Sequence, residues 1–152
     1  MSEIQLAVVK VKDEVFGVDS SCIKQIVKYQ DVKKAKNMPD FIEGFVRHQD
    51  EDIPVVGLAG KLGLGETEAT KKTKILLTRA GEFSLGFTVD DVTELVKYED
   101  REIVPIPDVI RRAGNSHIKY IGRKDDDILC ILDLNGILSK EEADKLKEKS
   151  GS

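Results

Sequence analysis

Apolar and polar positions alternate along most of this chain with the two-residue period of a β-strand. A polar or glycine-bearing stretch breaks the alternation every roughly 8 to 12 residues, the spacing of short strands in a small barrel or sandwich. IQLAVVKVKDEVFGVD, residues 4–19, predicts a hairpin that goes up through Val8, Val9 and Val11, turns at 12–14 and returns through 15–18. Asp19 and Ser20 are helix-capping residues, and Ile23, Ile26 and Val27 follow at i, i+3 and i+4. They predict one or two helical turns that run into a strand at 26–29. QDVKKAKNMPD predicts a loop or a weak edge strand closed by Pro39. FIEGFV reads as a strand in which Gly44 predicts a bulge or a close backbone approach. DIPVVGL is an apolar strand, and Pro54 places it at an edge or a bulge.

The pattern continues in the second half. GLAGKLGLG predicts a turn plus a short helix after a strand, and GETEATKK an exposed loop. TKILLTRAGEFSLGFTVD predicts a second hairpin turning at 79–82, and VTELVKYED another strand. In REIVPIPDVIRRAG, prolines on both sides of Ile106 favour an extended segment, with a short helix expected at 108–112. HIKYIGRKDDDILCILDL predicts a third hairpin with a charged tip at 124–127. Only the tail reads as helical. SKEEADKLKEK opens on Ser139 and Glu142, a capping box, and its acids precede its lysines, so a helix is expected over 139–149 and a loose end at 150–152. DEDIPVVGL and DDDILCILDL each set a charged triplet before an apolar strand, and each follows a glycine-bearing strand. That echo suggests two similar halves within one domain, with a core over about 4–138.

Composition narrows the function. The 152 residues suffice for one domain with its own core. No apolar run reaches the ~18 residues of a membrane helix, and the first residues lack the pattern of a signal peptide, so a cytoplasmic protein is expected. The net charge is −4, and acids are mixed with bases, which argues against a duplex nucleic acid as partner. KKTK at 71–74 is a dense basic run and reads as a loop. Tryptophan is absent and aromatics are 5%, so stacking platforms are not expected.

Candidate chemistry is sparse. Cys22 and Cys130 lie far apart among apolar neighbours and read as buried thiols. No cysteine or histidine spacing fits zinc, and no nucleophile elbow, zinc-protease helix or phosphate loop is present. Paired carboxylates at Asp90 and Asp91 and over 125–127 fall at a strand end and a hairpin tip, where solvation explains them. The stretch Arg47, His48, Gln49, Asp50, Glu51, Asp52 admits two readings. His48 with its acids is one, as a metal or proton site; the solvated tip of a buried hairpin is the other. Side chains diverge in a tight turn, which weighs against the metal. The expected protein has no enzyme activity, no cofactor and no metal, and acts through its surface by strand edges or an apolar groove.

The ordered segments resemble the CheW-like family of bacterial chemotaxis coupling proteins over about 5–138. The resemblance rests on FGVD at 16–19, then IKQIVKY, NMPDFIEGFV, DIPVVGL, LGFTVDDVTELV and YIGRKDDDILCILDLNGIL. Pro39, Gly44, Pro54, Gly86, Asp90, Gly122 and Asp133 stand in register with the family pattern. It implies a mainly β fold of two five-stranded Src-homology-3-like barrels sharing a hydrophobic core, with a short C-terminal helix. It also implies an adaptor that couples the cytoplasmic tip of a chemoreceptor to the regulatory domain of the histidine kinase CheA. Such an adaptor is recruited to membrane-associated receptor arrays without itself inserting into the membrane. In the family, the receptor tip docks between the barrels. The matching positions here are Ile23, Ile26, Arg47, Gln49, Phe87 and Val89.

At the charged stretch the chain departs from the family pattern. The family's Asn-Leu-Arg-Gly falls on Arg47, His48, Gln49 and Asp50, so a glutamine replaces the arginine and an aspartate the turn glycine. Aspartate tolerates positive φ better than most residues, so a turn remains feasible. By strand alternation Arg47 would share a face with Gln49 and supply the missing charge; otherwise the partner differs. Gly57 stands where the family has an aspartate after Val-Val. These matches make the charged stretch a hairpin tip at a partner-binding edge.

Overall fold

The computed structural model describes residues 3–29, 32–34, 37–80, 83–107, 109, 117–134, 136, 137 and 144. The first hairpin forms as β1, Glu3–Val11, and β2, Glu14–Asp19, paired antiparallel from Leu6 with Asp19 to Val11 with Glu14. Asp19 then stops the strand. Its carboxylate accepts from the Ser21 amide at 2.9 Å and caps a single 3₁₀ turn, Ser20–Cys22. Strand β3, Ile23–Lys28, follows at once, so the helical stretch is shorter than the spacing predicted. Branched residues at 23, 26 and 27 favour the extended form once β6 offers a ladder to pair with.

Strands β4, Ile42–His48, and β5, Glu51–Gly57, make the hairpin that carries the charged stretch. Gly44 behaves as expected. The register shifts between Ile42 and Gly44, and a Cβ at Gly44 would run into the Lys33 carbonyl, which bridges to Phe45. Pro54 lies on an inner strand, yet the parallel ladder from β5 to its other neighbour begins only at Val55, so no partner needs the missing N–H. A short helix, α1, spans Leu58–Lys61. Then come β6, Lys74–Ala80, β7, Phe83–Val89, and β8, Asp91–Glu99. A second 3₁₀ turn at Asp100–Glu102 leads into β9, Ile103–Pro105, and the third hairpin is β10, Ile118–Lys124, with β11, Asp127–Leu132. The expected helices at 108–112 and 139–149 lie outside the described residues, apart from Val109 and Asp144.

Two sheets result. One has six strands in the order β8-β1-β2-β11-β10-β9, the other five in the order β3-β6-β7-β5-β4. Their plans match. Each joins two antiparallel hairpins by a parallel contact, β11 to β2 in one and β5 to β7 in the other. Each also receives its outer strand from the hairpin of the other sheet, because β3 follows β2 but pairs with β6, and β8 follows β7 but pairs with β1. The six-stranded sheet curls until the Tyr98 ring of β8 lies against Gly122 of β10, where a Cβ would meet it at 3.0 Å.

One core joins the sheets. Val9, Val11, Phe16, Val18 and Leu132 from the first pack with Ile42, Val56, Leu76, Leu85, Phe87 and Val89 from the second. The five-stranded sheet encloses a separate cluster of Val46, Ile53, Val55, Ile75 and Leu77. Asp90 ties the halves together, because its carboxylate accepts from the Lys12 amide at the turn of the first hairpin and its own amide donates to the Lys10 carbonyl. The fold is mainly β, as expected, with one strand more than the five predicted in one sheet.

Candidate protein-binding surface

The charged stretch closes β4 onto β5 with a two-residue loop. His48 pairs with Glu51, Arg47 with Asp52, and Gln49 and Asp50 between them have φ of 50° and 63°. Two positive φ values in succession belong to a type I′ turn, whose twist suits a hairpin and which favours Asn-Gly. Asp50 accepts the left-handed conformation as expected, and Gln49 must accept it too. Because β4 ends at His48, strand alternation no longer sets where Gln49 points, and a common face with Arg47 does not follow. Arg47 Nη1 lies 3.4 Å from Asp52 Oδ1 with both side chains more than 60% exposed. Such a pair is weak and leaves the guanidinium able to turn to a partner carboxylate.

Ile26 marks the second feature. It pairs with Leu76, Leu76 with Phe87, Phe87 with Val56 and Val56 with Ile42. One apolar row therefore crosses the whole five-stranded sheet. Its middle is core, and it reaches solvent at Ile26, which is 38% exposed on the terminal strand β3. Ile23, at the start of β3, is half-buried against the same core. Phe87 and Val89 are each 1% exposed. Both fill the shared core and offer no surface, because the inward face of β7 is covered by the other sheet.

Sequence reasoning missed a counterpart on the other sheet. Leu95 pairs with Ala7, and Ala7 with Val18, so this row too begins in buried side chains and ends exposed, at Leu95 on the terminal strand β8. Leu95 is 57% exposed. In TELVK it reads as an ordinary strand residue, and only the register shows that it ends a row.

A cleft of about 780 Å³ opens beside β4 and α1, lined in part by Tyr29, Met38, Phe41, Glu43, Gly57 and Lys61. Lys61 Nζ stands 5.3 Å from the centre of the Phe41 ring. Glu43 accepts from Thr88 Oγ1 at 2.7 Å and lies beside Tyr29, whose phenol is raised above its usual pKa by burial and then by that carboxylate. At Gly57, where the chain departs from the family pattern, a Cβ would come to 2.9 Å from the Glu43 side chain, so the family's aspartate would require Glu43 to shift from its hydrogen bond to Thr88. Glu43 already fills the space that an aspartate at 57 would need.

The remaining reactive groups do not assemble. Cys22 and Cys130 are free and half-buried, less covered than expected. Burial raises both thiols, with Asp19 adding to Cys22 and Glu14 to Cys130, so both are protonated near neutrality. Burial lowers His117, which is neutral at pH 7. Among the described residues no three of His, Cys, Asp and Glu converge as metal ligands, and no helix is long and apolar enough to cross a membrane.

Comparison with known proteins agrees with this architecture. The family model of the CheW-like domain matches residues 5–142. The chain is 26% identical over 148 residues to chemotaxis protein CheW of Treponema pallidum, covering 95% of this chain and 87% of that one. It is 24% identical over 137 residues to chemotaxis protein CheW of Bacillus subtilis, covering 90% and 88%. The crystal structure of scaffolding protein TtCheW from Thermoanaerobacter tengcongensis superposes with a TM-score of 0.82 at 24% identity, over 93% of this chain and 92% of that one.

Proposed function

This chain belongs to the CheW-like domain family, and from that premise we propose that it couples chemoreceptor tips to the regulatory domain of the histidine kinase CheA. It is a chemotaxis adaptor of scaffold type and not an enzyme. The observation that carries the finer reading is the apolar row that surfaces at Ile26, because a helical receptor tip needs an exposed apolar anchor beside a firm core. Ile23 extends that anchor. Arg47 and Gln49 contribute polar contacts from the β4–β5 tip, while Phe87 and Val89 act from beneath by fixing the sheet. The adaptor works in the cytoplasm at receptor arrays, through non-covalent binding alone. Mixing it with a receptor cytoplasmic fragment and with the CheA regulatory domain tests this directly. Binding to both is expected, and binding to neither would remove the reading.

A second reading keeps the adaptor role and changes the partner. It is favoured by the tip, where Gln49 and Asp50 replace the arginine and glycine of the family pattern. If the tip selects the partner, the double change Gln49→Arg with Asp50→Gly strengthens binding to a standard chemoreceptor. Unchanged binding would clear the tip of that role.

A further inference from the structure

The register places two lysines directly opposite each other. Lys28, last residue of the terminal strand β3, pairs with Lys74, first residue of β6. Like charges facing across a ladder destabilise it, and an acid at either position would do the reverse. The neighbouring turn adds Lys71 and Lys72, both exposed. This turn is firmly built. The Thr70 amide donates to Thr73 Oγ1 at 2.8 Å, the Lys72 amide to Thr70 Oγ1 at 3.1 Å, and Thr73 is buried. Its backbone is tied to β3, because the Tyr29 amide donates to the Thr73 carbonyl at 3.2 Å. Lys74 Nζ folds back onto the Lys72 carbonyl at 3.0 Å. Lys24 adds a further exposed cation on β3. Among the described residues, none of Lys24, Lys28, Lys71, Lys72 and Lys74 forms an ion pair.

We infer that the Lys28 end of β3 and the adjoining 71–74 turn form a docking surface for an acidic protein segment. The chain has a net charge of −4, yet among the described residues no acid pairs with this cluster. A local electrostatic conflict that the fold keeps, on a preorganised turn, is what a surface reserved for an external anion looks like. Protein carboxylates fit better than phosphate backbones, because the patch is short and the adjacent aromatic, Tyr29, is half-buried against the core of the five-stranded sheet instead of standing free for stacking. The patch lies at the end of the five-stranded sheet away from the β4–β5 tip, so it is distinct from the tip, and it borders the proposed receptor contact at Ile26, two residues from Lys28 on the same strand. Lysines on a terminal strand also guard it against edge-to-edge pairing, but glutamates guard it equally well. Charge reversal therefore separates the two roles.

The test uses the full chain and a fluorescein-labelled peptide of alternating glutamate and serine, read by anisotropy across a salt series. A short DNA duplex and phosphatidylserine vesicles run in parallel. The peptide is expected to bind, with affinity falling as salt rises. Lys28→Glu, and separately Lys71→Glu with Lys72→Glu, should each weaken it by about tenfold or more. Lys28→Glu should at the same time raise the melting temperature by creating an ion pair with Lys74, which shows that binding is not lost through unfolding. Gln49→Arg, at the other end of the sheet, should leave peptide binding unchanged. Absent peptide binding, indifference to both reversals, or equal binding of DNA or vesicles would overturn the inference.

Discussion

The two sheets follow one plan with different surfaces. Both carry a borrowed terminal strand, an antiparallel hairpin, a parallel joint and a second hairpin. Both place a glycine at the parallel joint, Gly17 opposite Ile131 and Gly86 opposite Val55. Their terminal strands differ. In β8, Glu94 and Lys97 surround the exposed Leu95, whereas in β3 the charges around Ile26 are lysines only. A shared backbone plan thus fixes where an apolar row surfaces, and the side chains beside it set what each row can meet.

The glycines of the second hairpins sharpen this comparison most. Gly44 faces backbone, the Lys33 carbonyl, while Gly122 faces the Tyr98 ring, which can tilt away. Overpacking costs about 1–3 kcal/mol, so Gly44→Ala should lie at the top of that range and Gly122→Ala near the bottom. Urea unfolding measures both, and equal losses would mean that the two hairpins are held in the same way. Next in size is Gly57→Asp, expected to destabilise by about 2 kcal/mol by forcing a second carboxylate against Glu43. Adding Glu43→Ala should recover much of that loss in a double-mutant cycle. Additive losses would contradict the contact between position 57 and Glu43. The smallest effect concerns the tips. Asp50→Gly should stabilise the β4–β5 hairpin by roughly 0.5–1 kcal/mol, because glycine adopts positive φ without strain. A melting temperature that falls instead would show that the Asp50 side chain itself holds the turn.

Most of the fold was legible in the sequence for a local reason. Alternation over 4–19, 74–89 and 118–132 fixes the three hairpins, and Gly44 announced its close approach. The exchange of terminal strands was not legible, since β3 and β8 read as continuations of the hairpins before them and only the ladders show which sheet each joins. The candidate surface was legible in part. Of the positions the family resemblance assigned to the receptor contact, the tip is exposed and Ile26 is partly so. Phe87 and Val89 alternate correctly with their neighbours, but alternation cannot tell a groove face from one covered by a second sheet. Leu95 and the pairing of Lys28 with Lys74 depend on contacts between segments distant in sequence, and no local pattern carries those.

The central claim is that a passive surface, anchored at Ile26, transmits the receptor's state to a kinase. Reconstituting receptor fragments, CheA and this chain, then following kinase autophosphorylation, tests it most directly. The account predicts receptor-dependent kinase activity with the natural chain and its loss with Ile26→Asp, in a chain that still unfolds cooperatively and still binds the kinase regulatory domain. Full activity with Ile26→Asp, or no dependence on the chain at all, would contradict it.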